Sequence, residues 1–595
     1  MYRGEEAFFA DLEEALQVHV GSETPSLLAF ARRIFELAPL EELGADSPQD
    51  IAAFVRSLWE HFSLLPDDSP RLRCFNPHQE EDGWEHRLTQ VFLLKRDIPF
   101  LVDSVRMMFN RMGVGIHVIK STVLRVRRDA EGRLVEVLDK GSTEGQAEAL
   151  VFLRIDRCSD DVQLEVIGAE LLNLLARLKV VTDDYQPMLA KLDAIVETTT
   201  ARGVRDHHAE ELLAFLHWVK DNHFTFLGYC YYSVSTEDDP QIVHAPEQGL
   251  GLFRADPLER SPARLSELAP GFSEFHNSPS LLTLARSSLR STIHRDAYCE
   301  YLIIKDCDAE GRLVGEHRFL GLYTSSVHSQ SPFAIPLVKD KLQRVLQRSG
   351  LAPDTHDGKA LRKIMESHPR EELFHASEQQ LHDILIGIWQ IQERRKVRLF
   401  LRPDPYEKFV NCLLYVPRDS YRTEVREQAE AVLCEMLDGS ESHFTTYFTD
   451  SLLVRIHFVV RIRSSRYRVV DARQLEQEIA ILTRDWRDEL EEAILDYWGE
   501  EKGLLLCSRF RDAFPVGYRE HFAPRVAVHD LELILRLGKG DPIAMRFYQP
   551  PGSGTNFMRF KVFHSGVELL LSNIVPMLEN LGFLVIGEHP YRIVP

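Results

Sequence analysis

One stretch, Gln90 to Val126 (QVFLLKRDIPFLVDSVRMMFNRMGVGIHVIKSTVLRV), constrains the fold more than any other. Gln90 to Lys95 is short, apolar and β-prone. Leu101, Val102, Val105, Met108, Phe109 and Met112 then recur at helical spacing, which predicts a helix with one buried face. Asp97 is positioned to cap that helix, and Pro99 is tolerated in a first turn because its missing N–H would have no helical partner. Gly113 stands where a helix end wants a left-handed residue, and Gly115 to Val126 reads as extended. The result is strand, turn, helix, turn, strand, a unit that belongs to α+β folds.

At 595 residues the chain should hold several such units. Its 44% hydrophobic and 27% charged content is that of a globular protein. No apolar run approaches the roughly 20 residues that span a bilayer. The opening MYRGEEAFFADLEEAL lacks the basic and apolar regions of a secretory signal, so a cytoplasmic location is expected, with no membrane partner. A net charge of −21 argues against nucleic acid, since duplex binding needs clustered cations. The eight cysteines are scattered, with no C-x-x-C, so neither a disulfide framework nor a zinc site is expected.

Taken in order, residues 1–82 read as a helical segment ending in a linker, with Pro66 to Trp84 as exposed loop. A first module with a trailing helix occupies 83–200, and its helix Asp160 to Leu178 should bury Val162, Val166, Ala169, Leu172, Leu175 and Ala176. A region of one helix and several strands spans 203–349 and suits a PAS-like sheet. Helices broken at Pro369 fill 354–394, and a second module fills 397–464. Helices fill 471–537, opening with one long amphipathic helix from Asp471 to Trp498. A third, incomplete module occupies 541–595 and ends in a strand, FLVIGEHPYRIV. It repeats the first: aligning Gly582 with Gly113 sets Ile574 on Val105, Met577 on Met108, Leu578 on Phe109 and Leu581 on Met112.

The Gln90–Val126 unit resembles the opening of an ACT domain, a βαββαβ module that often senses amino acids. The fold class is therefore α+β and multidomain, with several ACT-like modules, a PAS-like sheet module and connecting helices. Eight stretches in order extend the resemblance: RDIPFLVDSVRMMFNRMG, DNHFTFLGY, RSTIHRDAY, GEHRFLGLYTSS, HDGKALRKIMESHPREELF, VRLFLRPDPYEKFV, YVPRDSYRTEVRE and PMLENLGFLVI. Together they resemble the N-terminal part of the large bacterial NAD-specific glutamate dehydrogenases. That resemblance implies the regulatory and oligomerising region of an enzyme of amino-acid catabolism, which deaminates L-glutamate oxidatively to 2-oxoglutarate and ammonium. The catalytic domain and NAD would then lie beyond this chain. The partners implied are further copies of the chain, that catalytic domain and an amino-acid effector. A free-standing amino-acid sensor and a scaffold without any ligand are the alternative readings.

No catalytic residue is assigned. Gly249-Leu250-Gly251 lacks the third glycine of a dinucleotide loop, Gly552-Ser553-Gly554 reads as a hairpin loop, and Gly538-Lys539-Gly540 reads as a plain loop. His207, His208, His217 and His223 are the densest histidine group, but their spacing does not suit a metal. Two segments suit an anionic effector. At Arg96, Asp97, Pro99, Phe100 and Asp103, a helix start offers N–H groups to a carboxylate, and the aspartates could meet an ammonium. Arg290, Ser291, Thr292, His294 and Arg295 set cations beside hydroxyls. Against these stand simple capping by Asp97, a contact between modules or subunits, and an exposed turn paired to Asp296.

Overall fold

The structure is a computed structural model. It describes residues 5–20, 24–36, 47–67, 69–139, 141–201, 207–235, 240–255, 263–264, 269–391, 394–449, 451–463, 470–484, 486–537, 542–549, 558–566 and 569–595. The chain is an α+β multidomain protein. It divides into two compact units, Met1–Trp389 with Asp404–Glu407, and Gln390–Pro403 with Lys408–Pro595. The glycine-flanked Lys539 loop and the Gly552–Gly554 loop lie outside the described residues.

The first unit opens with helices Glu5–Val20, Thr24–Ile34 and Pro48–Phe62. A five-stranded antiparallel sheet follows, built from β1 (Arg71–Phe75), β2 (Thr89–Arg96), β3 (Ile116–Arg128), β4 (Leu134–Val137) and β5 (Gln146–Ile155), in the order β1-β2-β5-β3-β4. Helices Leu101–Arg111 and Asp161–Asp183 pack on one face, where Val91, Leu93, Val151 and Leu153 meet Val105 and Phe109. The opening helices cover the other face, where Phe92, Leu94 and Phe152 meet Phe54 and Phe62. Both faces are therefore dry, which explains why β2 is an unbroken apolar run rather than an alternating one.

The expected strand–helix–strand unit is present. Leu101, Val105 and Phe109 are buried, and Gly113 (φ 69°) takes the left-handed conformation. Met108 is only half-buried, because it points along the flank of the helix where Met107 is the buried neighbour. The stretch Pro66 to Trp84 is not simply a loop. It carries β1 and a short helix, Gln79–Asp82, and β1 closes the sheet beside β2. An upstream strand thus occupies the place that the last strand of a βαββαβ module would take.

Helix Asp161–Asp183 buries a face rotated from the one expected, with Leu175 common to both. Ile167, Leu171, Leu174, Leu175 and Leu178 are buried, whereas Val162, Val166 and Leu172 are exposed by 62%, 48% and 46%. Apolar residues surround this helix, so its periodicity admits two stripes; the bulkier Leu and Ile stripe takes the core. That stripe serves two sheets at once, touching β1 and the strand Gln241–Gly251.

After helices Tyr185–Ala201 and His207–Trp218 comes a six-stranded antiparallel sheet, in the region read as PAS-like. Its strands are β6 (Phe224–Val234), β7 (Gln241–Gly251), β8 (Ala263–Arg264), β9 (Leu282–Arg290), β10 (Tyr298–Cys307) and β11 (Leu313–Tyr323), ordered β8-β7-β6-β11-β10-β9. Strand β7 was not expected, since Pro246, Glu247 and Gln248 argue against it; pairing with β6 holds it. Gly251 (φ 61°) lies against β6 so closely that a Cβ would stand 2.4 Å from the Leu227 carbonyl oxygen, so this glycine serves packing. Helices Val338–Ser349, His356–Ser367, Arg370–His375 and Glu378–Ile391 complete the unit, with the break at Pro369 as expected.

In the second unit, β12 (Arg398–Pro403), β13 (Phe409–Pro417), β14 (Gly439–Tyr447) and β15 (Leu453–Ile462) form a sheet ordered β12-β13-β15-β14. Helix Thr423–Met436 lies between β13 and β14, and helix Ala472–Leu482 follows β15. This repeats the layout of the first module, upstream strand included. The long helix expected from Asp471 to Trp498 is two helices, Ala472–Leu482 and Trp486–Trp498. Its single stripe feeds two cores: Leu475 and Ile479 pack on the sheet, while Leu490 and Ile494 pack among helices that end at Leu537.

The last module shows β16 (Ile543–Tyr548), β17 (Arg559–His564) and helix Leu571–Asn580. The repeat is exact at its cap. Val114 N–H bonds the Phe109 carbonyl and Gly113 N–H the Asn110 carbonyl; Phe583 N–H bonds Leu578 and Gly582 N–H bonds Glu579 in the same way. The final strand does not form in residues 583–595; Val594 N–H instead bonds the Ala513 carbonyl at 3.1 Å, and Tyr591 and Ile593 pack on the helical core. No helix among the described residues is long and apolar enough to cross a membrane.

Candidate effector site

The two candidate segments lie far apart in sequence, and the structure brings parts of them together. β2 ends at Arg96, and the Asp97 N–H is taken by the Ala147 carbonyl at 2.9 Å. Asp97 does not cap the helix. The helix begins at Leu101 with Phe100 in the capping position, so Asp97 is too far upstream to reach its second or third N–H. Arg96, Asp97 and Pro99 stay exposed at the entrance to the turn.

Phe100 (φ 66°) adopts a left-handed backbone, uncommon for a bulky residue. Its carbonyl accepts both the Ser104 N–H (3.0 Å) and the Ser104 hydroxyl (2.7 Å). Its ring lies 4.7 Å from the imidazole of His294, which is itself left-handed (φ 70°). The buried Ser104 Oγ accepts the His294 N–H at 3.0 Å, and the Asp103 carboxylate stands 3.5 Å from His294 Nδ1. Ser104 therefore ties the helix start to the second segment, a role the apolar spacing alone did not reveal.

The Arg290–Arg295 turn divides its residues. Ser291 is buried and shapes the turn itself, donating to the Ile293 carbonyl (2.6 Å) and accepting the Ile293 N–H (3.1 Å). Arg290 pairs with Asp296 at 3.1 Å. Arg111, from the end of helix Leu101–Arg111, joins the same carboxylate and also donates to the Ser291 carbonyl at 2.7 Å. Arg295 leaves the group: its Nη2 donates to the Tyr323 carbonyl. Burial pulls its guanidinium below the usual value, against the opposing pull of Glu371 and Glu300. Arg111 was missed although it stands within the quoted RDIPFLVDSVRMMFNRMG stretch, because it falls at the far end of the helix, almost three turns beyond its start.

Beside this joint lies a cavity of about 190 Å³. Met107, Met108, Met112 and Leu174 make its apolar wall, with Arg111, Glu170, Asn173, Arg177 and Thr292 at its polar side. Of the residues proposed from sequence, Thr292 borders it. Among the described residues, no group of three or more His, Cys, Asp or Glu side chains could hold a metal. His223 is engaged structurally, stacked 4.4 Å from Trp218 with Nδ1 at 2.7 Å from the Trp218 carbonyl.

Comparison with known proteins adds the context. Five glutamate dehydrogenase family models match in succession: the ACT1 domain at residues 30–171, helical motif 1 at 335–394, the ACT2 domain at 398–487, helical motif 2 at 493–537 and the ACT3 domain at 542–595. The ACT1 match begins within the opening helices that cover the second face of the sheet. An NAD-specific glutamate dehydrogenase of Pseudomonas aeruginosa is 38% identical over 98% of this chain, and that of Halomonas elongata is likewise 38% identical over 98%. That of Mycobacterium tuberculosis is 26% identical over 83%. The chain spans about a third of the length of these relatives, 36%, 36% and 30% respectively. By this succession of domains and this identity along nearly its whole length, the chain belongs to the large bacterial NAD-specific glutamate dehydrogenase family.

Proposed function

We propose that this chain is the regulatory and oligomerisation region of an NAD-dependent glutamate dehydrogenase, acting in the cytoplasm. The complete enzyme would oxidise L-glutamate to 2-oxoglutarate and ammonium, with catalysis and NAD binding in a domain outside this segment. The observation that carries the reading is the unbroken order of ACT and helical-motif matches along the chain. An amino-acid effector would act where the start of helix Leu101–Arg111 meets the Arg290–Arg295 turn. Two left-handed residues, Phe100 and His294, face each other there. Backbone strain of this kind costs on the order of 1–3 kcal/mol per residue and persists only where surroundings hold it. Coupling to a distant site would require a second arrangement of this joint that the effector favours over this one.

The test is activity. The purified 595-residue chain should show no glutamate-dependent reduction of NAD, and should restore effector response when combined with the catalytic domain. Turnover by the chain alone that disappears in Lys539→Ala would overturn the proposal.

A further inference from the structure

We propose that the outward stripe of helix Asp161–Asp183 pairs antiparallel with the same stripe of a second copy of this chain. The proposal rests on the oligomerisation reading above and assigns it a surface.

The helix carries two apolar stripes, and the fold of the single chain uses one. Ile167, Leu171, Leu174, Leu175 and Leu178 are buried. Val162, Val166, Ala169, Leu172 and Ala176 are exposed, and Val180 is half-buried. From Val162 to Val180 these six residues take five steps in 18 positions, about 3.6 per step. They therefore run straight along the helix, on the side away from the core. A solvated helix face is normally polar, and a helix apolar on both sides is one that is covered on both sides.

Charge identifies the occupant. The exposed acids Asp161, Glu165 and Glu170 lie in the first half of the helix; exposed Lys179 and half-buried Arg177 lie in the second. Asp183 departs from this division, but Lys179 holds it at 3.1 Å in a half-exposed pair, which contributes little. Two copies laid parallel would set acid beside acid. Laid antiparallel, each acidic half meets the basic half of its partner. Shape agrees: a valine stands at each end of the stripe, and small Ala169 and Ala176 flank the larger Leu172 between them. A patch that complements its own reverse fits a two-fold axis, the commonest geometry of soluble oligomers. The buried stripe packs on β1 and β7, so a copy docked on the outward stripe is joined to both sheets through one element. A seam one helix wide buries less than the ~1,600 Å² of a standard interface, so this association is reversible and concentration-dependent.

Sedimentation velocity of the 595-residue chain over a concentration series tests the pairing. Concentration-dependent association is expected. The double variant Val166→Glu with Leu172→Glu should weaken it at least tenfold while the circular dichroism spectrum stays unchanged, because both positions are exposed in the single chain. Oxidative cross-linking, located by peptide mapping among the eight native cysteines, gives an independent reading. Leu172→Cys, near the middle of the stripe, should cross-link to its copy. Val162→Cys should not, since antiparallel pairing sets the two Val162 positions about 27 Å apart along the axis. Association indifferent to the double variant, with no Leu172→Cys cross-link, would overturn the seam and leave oligomerisation through another surface standing. Cross-linking of Val162→Cys in place of Leu172→Cys would overturn the antiparallel arrangement. A chain that is monomeric at every concentration would overturn the seam and the oligomerisation reading together. Protection of Leu172→Cys from thiol labelling that appears only on adding the catalytic domain would give the stripe to that domain and overturn self-pairing.

Discussion

Two adjacent leucines on helix Asp161–Asp183 offer a sharp test of how the first module packs. Leu171 is fully buried, and Leu172 is 46% exposed. Replacing either by Ala removes the same three carbon groups. For Leu171 the lost transfer term is about 2.4 kcal/mol at ~0.8 kcal/mol per group. The unfilled space adds to it, which brings the expected cost to roughly 2.7–5 kcal/mol. For Leu172 about half of the transfer term was never gained, and water fills the space. Ala is also a slightly better helix former, by a few tenths of a kcal/mol. The expected cost is about 1 kcal/mol or less. Hydrogen exchange of the β5 and helix amides, measured in the native state, reads this module without requiring the whole chain to unfold in one step. Equal losses for the two variants, or a larger loss for Leu172→Ala, would refute the assigned face. The stripe Val162, Val166 and Leu172 would then be the buried one.

Other consequences are open to measurement. His61 is buried on helix Pro48–Phe62, and burial, with help from Arg71, lowers its pKa to about 4. It stays neutral in the folded state while the unfolded chain takes up a proton below about 6.5, so its contribution is complete above that pH and is lost as pH falls toward 4. The loss should approach about 3 kcal/mol, and His61→Gln should flatten that part of a stability profile followed by Trp59 and Trp84 fluorescence. At the joint, Asp103→Ala should cost less than about 1 kcal/mol, because its pair with His294 is half-exposed. Ser104→Ala should cost about 1–3 kcal/mol and release the His294 amide to exchange, since a buried hydroxyl with two partners is removed. Equal protection of that amide in the two variants would count against the Ser104 tie.

Much of the architecture was readable because local signals agreed with burial. The unbroken apolar run of β2, the three-four spacing of Leu101, Val105 and Phe109, and Gly113 all pointed the same way. So did the repeat, whose two helix ends share the same hydrogen bonds. The failures have a common physical source: a decision made by tertiary partners. RLRCF was passed over as loop because Pro, Asp and Glu surround it, yet its pairing with β2 makes it a strand. The stripe from Leu475 to Ile494 has continuous helical spacing, but two cores compete for it and the backbone breaks between Leu482 and Trp486. Charge and turn chemistry singled out two segments that the structure brings into contact. They could not reveal that His294 would meet Asp103 and Ser104 across 190 residues of chain, or that Arg111 would complete the group.

Closing each sheet with a strand from upstream changes what the last helix of the module is for. In a βαββαβ unit that helix is a crossover: its length must match the sheet, because the chain has to return and lay down a final strand. With β1 and β12 already in place, no return is needed. Helix Asp161–Asp183 runs for 23 residues, about 35 Å, more than twice the length of helix Leu101–Arg111, whereas its counterpart Ala472–Leu482 stays at 11 residues. It packs against β1 of one sheet and β7 of the next, so one helix belongs to the cores of both.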